Sequence, residues 1–130
     1  MKEKIIEAMN TGYYKDNDYK IIKMKKDEVI LEYELKENGK NPYGMIHGAT
    51  LFGVCDNAAA LLACMSGKMP ITISSTINYL TAAYTKKVVA HATPLKVGNN
   101  VAYYEVKLYD EKKTLLVTCN VDMYLKKYDE

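Results

Sequence analysis

The segment over residues 41–57, NPYGMIHGATLFGVCDN, contains the residue types best suited to chemistry. An apolar helix is predicted to begin at His47-Gly48, with Asp56 inside it. A carboxylate is costly to bury alone, so Asp56 must be exposed, hydrogen-bonded or used in a reaction. Free N–H groups at a helix start favour developing negative charge, and glycine lets a carbonyl oxygen approach. The segment therefore predicts an acyl-transfer site, with Gly48 as oxyanion donor and Asp56 as general base or nucleophile.

Helix geometry limits how such a site could be assembled. Gly48 and Asp56 are eight residues apart, which is about 12 Å along a helix axis. One reacting carbonyl cannot easily contact both residues within one chain. If both serve one reaction, the helix start of one chain must meet Asp56 of another, and a two-fold axis would create two equivalent sites. The catalytic interpretation therefore includes a prediction of a dimer.

Each of these residues also has a structural interpretation. Asp56 could be a carboxylate satisfied by hydrogen bonds, and His47 could simply bond the helix start. Gly48 could serve packing, Asn41 could be a turn residue before proline, and Thr72 could be an ordinary strand residue. From the residue types alone, both sets of roles stay open.

Cys55, next to Asp56, suggests a Cys/His nucleophile as a further alternative. Adjacent residues on a helix face different directions, and alanine-rich helices bury inert thiols, so we disfavour it. The three cysteines are odd in number and lack metal-ligand spacing. Free thiols in a reducing cytoplasm are expected, and the two histidines and the acids predict no metal site.

Composition excludes several function classes. The 130 residues predict one domain with 48% apolar and 26% charged residues, an ordinary globular balance. A net charge of +2 indicates neither a nucleic-acid nor a membrane-surface partner. All 18 basic residues are lysine, so phosphates would be held by ammonium and backbone N–H groups rather than by arginine.

The N-terminus has acidic residues and no long apolar run, so no signal peptide is expected. The most apolar stretch, residues 45–65, contains His47, Asp56 and Asn57. These polar side chains argue against a membrane span.

Hydrophobic periodicity and turn residues predict the elements that must position this segment. We expect a loop over 11–18, a short helix over 2–10, a long helix over 48–66 capped by Gly67, and strands over 19–26, 28–36, 71–80, 87–97, 100–109 and 114–126. Pro70 is expected to end the region after the long helix. Successive hairpins and one very apolar helix predict an α+β fold, with an antiparallel sheet wrapped around that helix.

The spacing of these residues resembles that of the hotdog-fold acyl-CoA thioesterases, in particular the phenylacetate-pathway (PaaI-like) branch. That branch carries an Asn, a Gly, a His-Gly-Gly motif and an Asp nine residues after the His. The matching residues here are Asn41, Gly44, His47-Gly48-Ala49 and Asp56. The likeness covers about residues 20–125 and continues through Ile71-Thr72-Ile73, Asn78-Tyr79-Leu80 and Lys96-Val97-Gly98. It implies a single hotdog domain over residues 1–130.

The resemblance also implies roles for individual residues. Asp56 would be the general base or nucleophile, and the Gly48 N–H of the partner chain would polarise the thioester carbonyl. Asn41 would hold the attacking water or the thioester. His47 would orient the loop and the carbonyl, and Thr72 would support the water from the next strand.

Substrate-binding positions implied by the resemblance are Ala49, Ser74, Gly98 and Asn99. Ala49 replaces the second glycine of the family motif, a small change that should leave the helix start intact. Ala82, Lys86 and Asn99 replace the family's usual Pro, Gly and Arg. These departures concern the coenzyme A contacts more than the chemistry.

The expected function is therefore acyl-CoA thioester hydrolysis to a carboxylate and free coenzyme A, in the cytoplasm and without a metal or redox cofactor. The acyl-CoA is the small-molecule partner, and a homodimer is expected, with a homotetramer expected in this family. One alternative is a hotdog acyl-thioester dehydratase or hydratase, but the His-Phe-Pro surroundings typical of those enzymes are missing around His47. Another is a non-catalytic acyl-CoA-binding module.

Overall fold

The computed structural model describes residues 2–8, 12–17 and 19–128. Its helices are α1 (Lys2–Ala8), α2 (Gly12–Asp16) and α3 (Gly48–Cys64), with a short 3-10 turn at Glu37–Gly39. Its strands are β1 (Tyr19–Lys25), β2 (Glu28–Glu34), β3 (Met69–Tyr79), β4 (Lys87–Val97), β5 (Val101–Tyr109) and β6 (Leu115–Lys126). None of the helices within these ranges is long and apolar enough to cross a bilayer.

The six strands form one antiparallel sheet in the order β1-β2-β4-β5-β6-β3, and α3 contacts every strand of it. Alternate residues of the central strands point toward α3 and form the core. In β6, for example, Val117, Cys119, Val121 and Met123 are buried, as the alternating pattern predicts. The prediction of an α+β fold with an antiparallel sheet around one long helix is confirmed.

Two expectations about local structure are wrong. Residues 12–16 form the short helix α2 where a loop was expected, and part of the expected helix over 2–10 lies outside the described residues. Pro70, expected to end the region that follows the long helix, lies inside β3 instead. An edge strand tolerates proline because the missing N–H can face away from the neighbouring strand.

The position of β3 departs from a succession of hairpins. β3 pairs with β6 rather than with β4, so it lies at the far edge of the sheet. The seven residues between β3 and β4, LTAAYTK, contain no Gly, Asn, Asp or Pro that would favour a tight hairpin turn. This segment is fixed instead by hydrogen bonds from Leu80 N and Thr81 N to Leu116 O, and from Ile46 N to Ala83 O.

Candidate active site

The start of α3 exposes a backbone donor. His47 is the N-cap residue, with φ −62° and ψ 140°, and its Nδ1 accepts the Ala49 N–H at 3.0 Å. In the neutral imidazole the proton then lies on Nε2. No acceptor among the described residues bonds the Gly48 N–H. His47 thus satisfies one of the free N–H groups of the helix start and leaves that of Gly48 available.

The loop before α3 is closed by Asn41. Its Oδ1 accepts the backbone N–H groups of Tyr43 and Met45 at 2.9 and 3.1 Å. Gly44 has a φ of +82°, a conformation that glycine adopts without strain. Asn41 is therefore a turn residue, as one interpretation held, and its Nδ2 remains the atom that could donate to a ligand.

Asp56 and Thr72 meet between α3 and β3. The Thr72 hydroxyl donates to Asp56 Oδ1 at 2.7 Å, which fixes the orientation of the half-buried carboxylate. A β-bulge between Thr72 and Ser74 puts these two residues on opposite faces of the sheet. Thr72 pairs with the buried Met123, whereas Ser74 donates to Asp122 at 2.6 Å on the outer face. The structure therefore brings Thr72, but not Ser74, to Asp56.

Gly48 and Asp56 contact opposite ends of β3. The Tyr79 hydroxyl, at the end of the strand, donates to Gly48 O at 2.9 Å, while Thr72, near its start, contacts Asp56. The free N–H and the carboxylate thus occupy different places within one chain, as the helix geometry requires.

A second group of predicted residues lies at the other end of α3. A cavity of about 550 Å³ is lined there by Gly98 and Asn99 together with Lys26 and Lys68. The Lys68 ammonium donates to Asn99 O and, at 3.1 Å, to Asn99 Oδ1. Sequence reasoning did not select these two lysines, because only the fold brings the β1–β2 turn and the start of β3 to one cavity.

Gly98 has a steric reason to be glycine. Its N–H donates to Val101 O at 2.9 Å, and a Cβ on residue 98 would lie 2.7 Å from that oxygen. The tight β4–β5 turn that results presents Asn99 to the cavity. Ala49, by contrast, lies exposed on the first turn of α3.

Cys55 does not face this site. It is fully buried and lies against Cys119, and the hydrogen bond between them together with burial raises the pKa of the Cys55 thiol. A thiol held in its protonated form is a poor nucleophile. The geometry argues against the Cys/His alternative, since the His47 Nδ1 is engaged by Ala49.

Comparison with known proteins identifies the family. A family model described as the thioesterase superfamily matches residues 43–117, which contain His47, Gly48, Asp56 and Thr72. The chain belongs to the thioesterase superfamily. The predictions of a hotdog-fold thioesterase and of a thioester hydrolase are confirmed.

One curated protein is similar in sequence and one solved structure is similar in fold. A putative esterase of Archaeoglobus fulgidus is 28% identical over 130 residues, which is 95% of this chain and 84% of the relative. A thioesterase from Haemophilus influenzae superposes with a TM-score of 0.90 at 17% identity, covering 100% of this chain and 93% of that one.

Two further structures share the fold. The PaaI protein of the E. coli phenylacetic acid degradation operon has a TM-score of 0.87 at 18% identity, with 95% of this chain and 92% of that one covered. A hypothetical thioesterase from Streptococcus pneumoniae, solved with coenzyme A, has a TM-score of 0.82 at 23% identity, with 87% and 92% covered.

Proposed function

We propose that this thioesterase hydrolyses acyl-CoA to a carboxylic acid and free coenzyme A, with Asp56 as general base or nucleophile. The observation that carries the proposal is the 2.7 Å hydrogen bond that orients Asp56 from Thr72. Structures of a hypothetical thioesterase from Streptococcus pneumoniae include one with an Asp-to-Ala and another with a Thr-to-Ala substitution. Those two positions are sixteen residues apart, as Asp56 and Thr72 are here.

The arrangement supports two chemical routes. Thr72 engages Asp56 Oδ1, and no described residue bonds Oδ2, so Oδ2 can act on the substrate. As general base, it takes a proton from water while the water oxygen bonds to the thioester carbon. As nucleophile, it bonds to that carbon itself and forms an anhydride that water later cleaves. In both routes the carbonyl electrons move onto oxygen, then return as the carbon–sulfur bond breaks and the thiolate leaves and is protonated.

A two-fold dimer would complete this site. We infer that the Gly48 N–H of the partner stabilises the oxyanion while Asp56 of the first chain attacks or activates water. β3 supports the inference because it is an edge strand of the sheet and because its Ile71 and Ile73 side chains are 43% and 55% exposed. Such an edge is a template for pairing with another chain. The homotetramer, the cytoplasmic location and the expectation that no metal or redox cofactor is needed stay predictions.

The coenzyme A phosphates are proposed to lie in the cavity at the C-terminal end of α3, the one lined by Gly98 and Asn99. Lys26 and Lys68 supply two ammonium groups there, and Lys68 is already oriented by Asn99. Lysine binds phosphate as a point charge, so this interaction should contribute affinity without tight geometry. It would fill the role of the arginine that the chain lacks.

The lysine assignment predicts an effect on KM. Lys26→Ala and Lys68→Ala should each raise KM for acyl-CoA by roughly three- to tenfold while kcat changes little. The reason is that a contact with a remote phosphate stabilises the bound substrate and the transition state equally. The matched comparison is an acyl-N-acetylcysteamine thioester, which has no phosphates and should show no change. Lys112→Ala, an exposed lysine outside the cavity, is the control. Equal rises in KM for both thioesters would contradict the assignment.

The function itself is tested by thiol release. Purified protein is mixed with short, branched, aromatic and long acyl-CoAs, and free coenzyme A is followed with a chromogenic thiol reagent. Hydrolysis should release one thiol per carboxylate formed. A dehydratase or hydratase would change enoyl-thioester absorbance without releasing thiol. Tight binding of acyl-CoA without any thiol release would indicate a non-catalytic acyl-CoA-binding module and refute the enzyme proposal.

A further inference from the structure

Two cysteines from distant parts of the chain meet in the core. Cys55 lies on α3 and Cys119 on β6, and they are 0% and 1% exposed. Both are free thiols, and a side-chain hydrogen bond joins them. A single buried thiol is usually an inert part of the core, but two thiols in direct contact can also exchange their protons for a covalent bond. The proposed hydrolysis uses neither sulfur atom.

The two thiols are not equivalent. The hydrogen bond from the Cys55 thiol lowers the pKa of Cys119, whereas the same bond together with burial raises the pKa of Cys55. The Ser75 hydroxyl also lies 3.4 Å from Cys119 Sγ, on the side away from solvent-free core. Because the thiolate is the reactive form of cysteine, Cys119 is the sulfur atom that reacts first and Cys55 is the thiol that can resolve the product.

Ser75 connects Cys119 to the candidate active site. Cys119 is buried, but the serine that contacts it is exposed. In the sheet register, Thr72 and Ser75 both pair with buried residues of β6, whose side chains point toward α3. Ser75 and Thr72 therefore face the same space between β3 and α3, where Thr72 contacts Asp56. A substrate has to enter this space in the proposed dimer too, so a small solute can reach Cys119 past one side chain.

From this arrangement we propose that Cys119 and Cys55 form an oxidation site, that hydrogen peroxide converts the pair to a disulfide, and that the disulfide lowers the rate of hydrolysis. The Cys119 thiolate attacks one peroxide oxygen, so that a sulfur–oxygen bond forms while the oxygen–oxygen bond breaks and hydroxide leaves. The Cys55 sulfur then loses its proton and displaces the oxygen from Cys119 as water, with formation of the sulfur–sulfur bond. Two thiols and one peroxide thus give one disulfide and two waters, and a thiol reductant reverses the change.

The disulfide acts on catalysis through Asp56. Sulfur atoms in a disulfide are about 2.05 Å apart, closer than a hydrogen bond between thiols holds them, so oxidation must draw α3 toward β6 at Cys55. Asp56 is the next residue of the helix, and the Thr72 hydroxyl holds its carboxylate at 2.7 Å. A misplacement of about 1 Å can cost on the order of one-hundred-fold in rate. This effect rests on the proposed function, in which Asp56 is the base or nucleophile.

The test oxidises the whole protein with hydrogen peroxide and then removes the oxidant with catalase. Peptide mapping without reduction should identify a disulfide between Cys55 and Cys119, and kcat for thiol release should fall by roughly tenfold or more. Dithiothreitol, removed by desalting before the assay, should restore both free thiols and the activity. Cys64→Ala lacks only the third free thiol and is the matched control, which should respond as the wild type does.

Two further variants separate the steps of the oxidation. Cys119→Ala removes the sulfur atom that reacts first, so it should form no disulfide and keep its activity after the same treatment. Cys55→Ala removes the resolving thiol, so oxidation should stop at a sulfenic acid on Cys119, which dimedone traps for mass spectrometry. Dimedone on another cysteine instead of Cys119 would contradict the assignment of the first step.

The disulfide and the activity are measured separately, so the inference and the proposed function can fail separately. Wild-type protein that releases no thiol from any acyl-CoA before oxidation refutes the function and, with it, the effect on hydrolysis, while peptide mapping still tests the disulfide. Two free thiols in oxidised wild-type protein, or a disulfide that leaves kcat unchanged, refute the inference alone. Equal losses of activity in wild type and Cys119→Ala would show that peroxide acts at another residue, and the inference would also be wrong.

Discussion

Asp56→Asn is expected to lower kcat for thioester hydrolysis by roughly one-hundred- to ten-thousand-fold, the usual contribution of a positioned general base. The amide keeps the shape of the carboxylate and can still accept a hydrogen bond from Thr72, but it cannot take a proton from water or attack the thioester. KM should change far less, because the phosphates and the acyl group bind elsewhere. The measurement is steady-state thiol release, with thermal unfolding as the check on folding.

Thr72→Val provides the matched comparison for Asp56. Valine keeps the branched shape that suits a strand but removes the hydroxyl that donates to Asp56 Oδ1 at 2.7 Å. Losing a hydrogen bond to a charged group should lower kcat by roughly tenfold, with Asp56 itself intact. Full activity in Asp56→Asn would show that another group acts as base. Equal losses in the two variants would show that Thr72 contributes directly to the chemistry.

Gly48→Pro is expected to lower kcat by roughly one-hundred- to one-thousand-fold, the typical cost of removing one oxyanion donor. Proline lacks the N–H and is tolerated at the first position of a helix. His47 already has the extended backbone, with φ −62° and ψ 140°, that a residue before proline adopts. The substitution therefore removes the proposed donor while the helix start is preserved. Thiol release and circular dichroism together measure the two effects.

Gly48→Ala is the control for this substitution. It keeps the N–H and adds a Cβ that would lie 3.4 Å from the Tyr79 ring, an ordinary contact distance. Its loss of kcat should be much smaller than that of Gly48→Pro. Comparable losses would mean that space beside Gly48, and not its N–H, is what the reaction requires.

Mixing the Gly48→Pro and Asp56→Asn chains tests the shared site. With random exchange at equal amounts, half of the dimers are mixed, and each mixed dimer has one site with both functional halves. Activity should therefore recover to about one quarter of the wild-type value per chain. No recovery after exchange, verified by mass spectrometry of the intact dimers, would place each site within one chain.

The sequence predicted those parts of the fold that depend on residues close together in the chain. The alternation in β6, the apolar composition of α3 and the polar turn after Val97 each follow from a few neighbouring residues, and they are confirmed. The helix α2 was missed because a five-residue helix gives almost no periodic signal. Pro70 was misplaced because only the sheet order shows that β3 is an edge strand.

For the site, the sequence by itself determined the residue types and one distance. Gly48 and Asp56 share one predicted helix, so the distance that corresponds to their separation of eight residues follows from helical rise without any tertiary information. That distance already required two chains for a common site, if the residues are catalytic. The roles of Asn41 and Thr72 came from family resemblance, because no local rule links them to Asp56.

Only the tertiary structure decided which distant residues meet. The bulge in β3 turns Thr72 toward Asp56 and Ser74 away, and the crossing of β3 to β6 puts Tyr79 against Gly48. Lys68 reaches Asn99 across 31 residues of sequence. Strand register and edge position depend on pairing between segments far apart in the chain, and local residue patterns do not specify such pairing.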